Sequence, residues 1–258
     1  MAMRQTRNRK NLLMHFKGYE DFISRILDLE EMAKRYQKII FTPFYSEHER
    51  LIVKQVVKGC FLYEEGGYEN SELKRMAITM YEEEDIVFPI VALTDTFDGK
   101  YHQVTHRDVL GALMNLGIER KVVGDIIVQD GRIVIYAEQE IADYLIQHLT
   151  QVKRVPITLS HYQGEIVFVP QLDYYECVVS SFRADALVAA IAHLSREKAK
   201  QLIRSGKVKV NQVVLEDYDY LCNNNSTVSI RGYGKFVIED LNRKTRKQHF
   251  LIRIGKYL

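Results

Sequence analysis

The stretch GDIIVQDGRIVIYAE, residues 124–138, constrains the fold more than any other part of this chain. Two β-branched runs, 125–129 and 132–136, flank the pair Asp130-Gly131. An Asp-Gly pair accepts the positive φ angles of a two-residue hairpin turn, so the two runs are expected to fold back as an antiparallel hairpin. On the N-terminal side, DIVFPIVALTD reads as a strand, and HRDVLGALMNLG (106–117) as a helix with Gly117 near its C-terminal end. On the C-terminal side, AEQEIADYLIQHLT places Ile141, Leu145 and Leu149 at helical spacing, and VPITLS (155–160) supplies a last strand. The resulting order, β-α-β-β-α-β, predicts a ferredoxin-like plait over 81–165.

The segment before it has a different rhythm. Residues 1–17 form a basic arm, and Phe22, Ile26, Leu29 and Ala33 recur at helical spacing after it. FTPF (41–44) is a breaker, and Ser46 with Glu49 makes a capping-box pair for a second helix that Gly59 is expected to close. CFLY (60–63) reads as a short strand and Gly66-Gly67 as a turn. Ser71 is expected to open a third helix, SELKRMAITM. Residues 1–80 are therefore expected to make a small, mostly helical domain that ends before the acidic run EEED (82–85).

The formal net charge of +2 over 258 residues conceals a strong asymmetry. Residues 1–17 carry +5, residues 18–179 carry −11, and residues 180–258 carry +8. An acidic body joined to a basic module points to polyanionic partners for the basic end. Cys60, Cys177 and Cys222 are too widely spaced for a metal knuckle, and with no apolar segment after the basic N-terminus they read as reduced thiols of a cytoplasmic protein. No stretch approaches 18 uncharged apolar residues, so no membrane span is expected.

The basic module has a regular build. SSFRADALVAAIAHLS reads as a helix from about Arg183, capped by Ser181 or a neighbour, with Leu187, Ile191 and Leu194 turned inward. Ser195 is an N-cap for REKAKQLIRS, and Gly206 stands where a C-terminal glycine belongs. Arg196, Lys200 and Arg204 recur every four residues and so share one broad helix face, while Ala199, Leu202 and Ile203 take the other. In the strand that follows, Lys207 and Lys209 alternate with Val208 and Val210, which turns the lysines outward and the valines into the core. These five cations are expected to form a single phosphate-facing patch. Asn211-Gln212 marks a turn, and TVSIRGYGKFVIED and HFLIRIGKYL add further strands. NRKTRKQH (242–249) between them reads as a basic hairpin loop, suited equally to an RNA backbone contact or to solubility.

SSFRADALVAAIAHLSREKAKQLIRSGKVKVNQVV and VSIRGYGKF together resemble the alpha-L RNA-binding motif first described in the small-subunit ribosomal protein numbered four. Arg183, Asp185, Ser195, Arg196, Ile203, Gly206, Val208, Val210, Asn211, Arg231 and Gly232 fit the positions of that motif. Ala184 stands where leucine is usual, and NNNS (223–226) replaces the common Gly-Asp loop. The candidate RNA-binding set is Arg183, Ser195, Arg196, Lys198, Lys200, Arg204, Lys207, Lys209, Asn211, Arg231 and Lys235. The whole chain, including HRDVLGALMNLGIERKVVGDIIV, further resembles the bacterial YlmH family of ribosome-associated quality-control proteins. That resemblance implies an α+β chain of three domains: the small N-terminal domain at 1–80, an RRM-like plait at 81–165 and an alpha-L domain at 180–258. It also implies a monomer acting on ribosomal RNA of the large subunit and on tRNA or peptidyl-tRNA, in the tailing of nascent chains on stalled subunits.

No dinucleotide, phosphate-loop, HExxH or GxSxG signature appears, and no cofactor is expected. His102, His106 and Asp108 lie close in sequence, but a polar helix cap is a simpler account than a catalytic or metal cluster. His106 and Arg107, with Arg120 and Lys121 at the far end of the same helix, form a candidate second RNA contact or else a solvated surface. Tyr136 has no paired stacking residue nearby, which argues against base reading by the sheet of the plait. Three classes compete: a non-catalytic RNA-binding factor, an RNA-modifying enzyme with the basic module as its handle, and a protein adaptor. The first is favoured.

Overall fold

The computed structural model describes residues 18–99, 103–164 and 172–257. The basic arm 1–17 and His102 lie outside the described residues. The chain divides between residues 168 and 169 into two units.

The first unit opens with α1 (Glu20–Tyr36), β1 (Ile40–Phe41), α2 (Glu47–Val56), β2 (Phe61–Glu65) and β3 (Arg75–Thr79). On α1 it is Ile23, Ile26, Glu30 and Ala33 that are buried, and Phe22 and Leu29 pack beside them. The Ser46–Glu49 capping box opens α2 as the spacing predicts. The helix closes at Val56, three residues before Gly59, which takes a φ of +80° in the loop beyond.

The third helix expected at 71–80 is instead the strand β3, so this segment is α+β rather than mostly helical. Its strand is central, pairing with β1 on one side and β2 on the other, and all five of its residues are buried. Met76 and Ile78 pack under α1 and α2. Arg75, on the other face, donates to the carbonyls of Thr42 and Pro89. A strand buried on both faces has no alternation to read, which is why its sequence mimics a helix.

The chain continues through β4 (Ile90–Thr96), α3 (His106–Asn115), β5 (Val123–Gln129), β6 (Arg132–Glu138), α4 (Ala142–His148), β7 (Gln151–Val152), β8 (Val155–Pro156) and β9 (Ser160–His161). The sheet order is β5-β6-β4-β9, every pair antiparallel. Asp130 (φ 50°) and Gly131 (φ 73°) form the expected hairpin turn. Val109 and Leu113 of α3 and Leu145 of α4 bury against Leu93, Ile126, Ile133 and Ile135, so the two helices cover one face of the sheet. The strand expected at 155–160 is split. Val155–Pro156 folds back on β7, and only Ser160–His161 reaches β4. Pro156 has no N–H to give a ladder, so a continuous strand would lose a bond there.

The second unit contains β10 (Leu172–Val179), α5 (Ala184–Ile191), α6 (Arg196–Arg204), β11 (Val208–Val210), β12 (Val213–Val214), β13 (Thr227–Ile230), β14 (Gly234–Lys244) and β15 (Phe250–Tyr257). Its sheet runs β10-β15-β14-β13-β11-β12, with all neighbours antiparallel. α5 and α6 pack on one face, where Leu187, Ile191, Ala199 and Ile203 meet Val208, Val210, Ile230, Ile238, Ile252 and Ile254. Arg243 and Lys244 belong to β14 after a bulge, so the basic loop is shorter than 242–249.

Helix α5 has Arg183 as N-cap and no side-chain cap from Ser181. Its first amides, Ala184 and Asp185, donate instead to the carbonyls of Tyr220 and Tyr218. That satisfies groups a helix start leaves open. The end of α6 matches expectation. The amide of Gly206 donates to Ile203 O and that of Lys207 to Leu202 O, with Gly206 at a φ of 67°. Gly206→Val should therefore destabilise the second unit by about 1–2 kcal/mol, the cost of a left-handed non-glycine residue. Thermal denaturation reads this directly. The added Cβ meets nothing nearer than 3.8 Å, so an unchanged melting temperature would refute the backbone argument rather than a clash.

Candidate nucleic-acid interface

On α6, the Ser195 hydroxyl accepts the Lys198 amide at 3.3 Å, which makes Ser195 a cap. Arg196 is turned back toward α5, its Nη2 lying 2.9 Å from both oxygens of Asp185. Arg183 Nε lies 3.2 Å from the same carboxylate. Asp185 is fully buried. Burial pushes its carboxyl up, but the bonds and charges of Arg183 and Arg196 outweigh this and hold it below the usual range. Arg196 thus joins the two helices as well as adding charge.

The remaining cations of this face gather on an aromatic ring that sequence reasoning missed. Arg204, Lys200 and Arg183 lie 4.9, 5.3 and 6.0 Å from the Tyr218 centroid. The segment carrying Tyr218 is fixed by the same carbonyls that cap α5. Three cations on one half-buried ring combine positive charge with a flat stacking face, the pairing that nucleic-acid surfaces use. Asp217 and Asp219 flank the ring in sequence, so the positive field is strongest on the α6 side.

The other predicted residues divide between two places. Arg231 N donates to Lys207 O, which puts Lys207 and Arg231 side by side beyond the end of α6. Lys209 follows two residues on, within β11. Val208 and Val210 point at the helices, so Lys209 is on the opposite, open face of the sheet. There it pairs with Ser229, and Ser229 pairs with Lys235, which sits 4.6 Å over the Tyr257 ring. Lys200 and Arg204 thus lie on α6, and Lys209 on the sheet face away from the helices. Asn211 is a turn residue with φ 48°, and its side-chain oxygen accepts the Thr227 amide at 2.9 Å.

In the first unit the four candidate residues are not brought together. Thr105 and Asp108 form a capping box at the start of α3, beside His106 and Arg107. The Asp108 carboxyl is drawn down to about 2, first by Lys153 and then by Thr105. Arg107 is exposed. Arg120 and Lys121, by contrast, are not on that helix. They lie on a 3-10 turn, Arg120–Val122, beyond its end. The Arg120 guanidinium donates to the carbonyls of Val123 and Gly124. Lys121 sits 5.7 Å over Phe22 and 5.9 Å over Tyr45, and its carbonyl accepts the Phe44 amide. Lys121 therefore holds the N-terminal segment beside the start of β5, and Arg120 braces the turn into that strand.

The second face of that sheet is closed by the same chain. Tyr68 stacks on Tyr136 with centroids 5.0 Å apart. Asp125 accepts from Tyr68 Oη at 2.8 Å, Glu72 N at 2.7 Å and Leu73 N at 3.2 Å. A Cβ on Gly124 would stand 2.6 Å from the Phe44 ring, so the glycine permits that close approach. Among the described residues, no three His, Cys, Asp or Glu side chains are grouped to hold a metal, and no helix is long and apolar enough to cross a membrane. Burial raises the thiols of Cys177 and Cys222 to about 11, so both stay protonated at neutral pH.

Residues 82–165 match the family described as "Putative RNA-binding domain in YlmH", and residues 182–228 match the S4 domain. The chain is similar to the ribosome-associated protein quality control protein P2 of Bacillus subtilis (strain 168). The two are 30% identical over 250 residues, which covers 94% of this chain and 97% of that protein. Among solved structures it is similar to the cell division protein ylmH from Streptococcus pneumoniae, at 25% identity and a TM-score of 0.50, over 57% of this chain and 93% of that one. With both domain matches in order and a likeness along almost its whole length, the chain belongs to the YlmH and P2 family and carries an S4 (alpha-L) RNA-binding domain.

Proposed function

We propose that this protein is a non-catalytic RNA-binding factor. It acts on the large ribosomal subunit and peptidyl-tRNA during ribosome-associated quality control, while nascent chains on stalled subunits are tailed. The observation that carries this reading is the gathering of Arg183, Lys200 and Arg204 on Tyr218 within the S4 domain. The likeness to the quality control protein P2 supports the biological setting. The strand order β5-β6-β4-β9 supports a ferredoxin-like, RRM-like plait at 81–165 between an N-terminal domain and the alpha-L domain.

Lys200→Ala combined with Arg204→Ala should weaken binding of the full chain to purified large ribosomal subunits by about tenfold. Removing one cation from its phosphate lowers the slope of log K against log salt by about one, so the slope should flatten by about two. Arg196→Ala is a poorer probe, because it also frees the buried Asp185. A double variant with unchanged affinity and slope would remove the α6 face from the interface.

A further inference from the structure

An open groove of about 520 Å³ runs along the helix side of the first unit. Arg107, Gly111 and Asn115 of α3 line one wall, and His148, Gln151 and Lys153 line the other. The three α3 residues are spaced by four and so lie along one face of the helix. All six side-chain positions are exposed. The one acid in the lining, Asp108, is neutralised by Lys153 Nζ at 2.7 Å. Among the described residues Arg107 makes no ion pair, and it is flanked by the side-chain amides of Asn115 and of Gln151, whose nitrogen also donates to the Lys153 carbonyl. Tyr144, also exposed, stacks on His148 with centroids 4.2 Å apart and offers an aromatic face at the rim.

Gly111 is the unusual member. A glycine inside a helix is less favourable than alanine, and no neighbouring atom lies within 4 Å of where its Cβ would stand. Neither intramolecular packing nor a positive φ accounts for it. What its missing side chain provides is a low floor to the groove, where the backbone of another molecule can approach.

We infer that this groove receives the sugar-phosphate backbone of an RNA strand, with Arg107 on a phosphate and the amides of Asn115 and Gln151 facing ribose hydroxyls. The inference rests on the reading of the chain as an RNA-binding factor and assigns the contact made by its first unit. The sheet face of the plait is taken by Tyr68 and the residues after it, which leaves the helix side as the surface this unit can present. A guanidinium with flanking amides over a bare helix stretch suits a polyanionic strand with 2′-hydroxyls. An acidic protein surface would satisfy Arg107 without using the amides or the clearance over Gly111.

Position 111 allows a test by charge at a site that touches nothing. In the full chain, Gly111→Lys should tighten binding to purified large ribosomal subunits by about threefold to tenfold, and Gly111→Glu should weaken it by a similar factor. Both variants should melt at or above the parent temperature, since both improve helix propensity. Arg107→Ala should weaken binding and reduce the salt slope by about one. A photoreactive p-benzoylphenylalanine at position 111 should crosslink to ribosomal RNA. Equal affinities for the lysine and glutamate variants, a reversed order, or crosslinks to ribosomal protein alone would overturn the assignment. The Lys200→Ala, Arg204→Ala variant in the same assay separates the two ideas. If it weakens binding while the Gly111 series is flat, the groove is refuted and the RNA-binding reading stands. If both are flat, both fall.

Discussion

Asp185→Ala is expected to lower the melting temperature of the second unit by about 10 °C or more, through a loss of about 2–4 kcal/mol. The carboxylate is fully buried and is the joint counter-charge of Arg183 and Arg196. Its removal leaves two guanidinium groups crowded at the α5–α6 junction and frees Arg196 from the position that ties the helices. Asp185→Asn keeps the shape and isolates the charge. Because the folded carboxyl is held below its ordinary value, its stabilisation is present above the unfolded pKa of about 3.9 and is lost as the pH falls through the folded value. Parent and Asp185→Asn should therefore differ fully at about pH 7 and converge as the pH falls through the folded value. Melts across that range decide the matter, and a gap that persists at the acid end would show that the charge is not its source.

Asp125→Ala should cost the first unit about 3 kcal/mol, because three donors lose one acceptor in a site largely withdrawn from water. Tyr68→Phe removes only one of those bonds and should cost about 1 kcal/mol. Here the sign with pH is reversed. Burial raises the Asp125 carboxyl despite its hydrogen bonds, so its ionisation opposes folding and its contribution falls as pH rises through the folded value. The local signature is hydrogen exchange at the Glu72 and Leu73 amides, which should lose protection in Asp125→Ala and keep most of it in Tyr68→Phe. If those amides stay protected in both variants, the carboxylate does not hold the segment on the sheet.

The parts of this molecule that are written locally could be read from the chain alone. The Asp130-Gly131 turn, the Ser46–Glu49 and Ser195 caps and the Gly206 closure each depend on a few adjacent residues. Strand β3 could not be read this way, because two neighbouring strands and packing on both faces bury every one of its side chains. The α6 cations were legible from their spacing, and the exposure of Lys209 from its alternation with Val208 and Val210. Tyr218 carried no signal, since it stands among Glu216, Asp217 and Asp219 and meets Lys200 and Arg204 only after α5 has been capped. Lys121 reads as surface charge because its aromatic partners, Phe22 and Tyr45, come from distant segments.

The strand order of the second unit has a consequence for its synthesis. β15 is translated after every other strand of its sheet, yet it lies between β10, the first, and β14. Its Ile252 and Ile254 are completely buried beneath the helices. Until residues 250–257 have emerged, β10 has no partner and α5 and α6 have only part of their floor. Domains usually fold as units during translation, and this unit cannot close before its final strand is free to insert. A chain cut short before position 250 would carry Arg183, Lys200, Arg204 and Tyr218 in full but lack the strand that joins β10 to β14. The last strand of the sheet to be translated thus ties the first one to all the others.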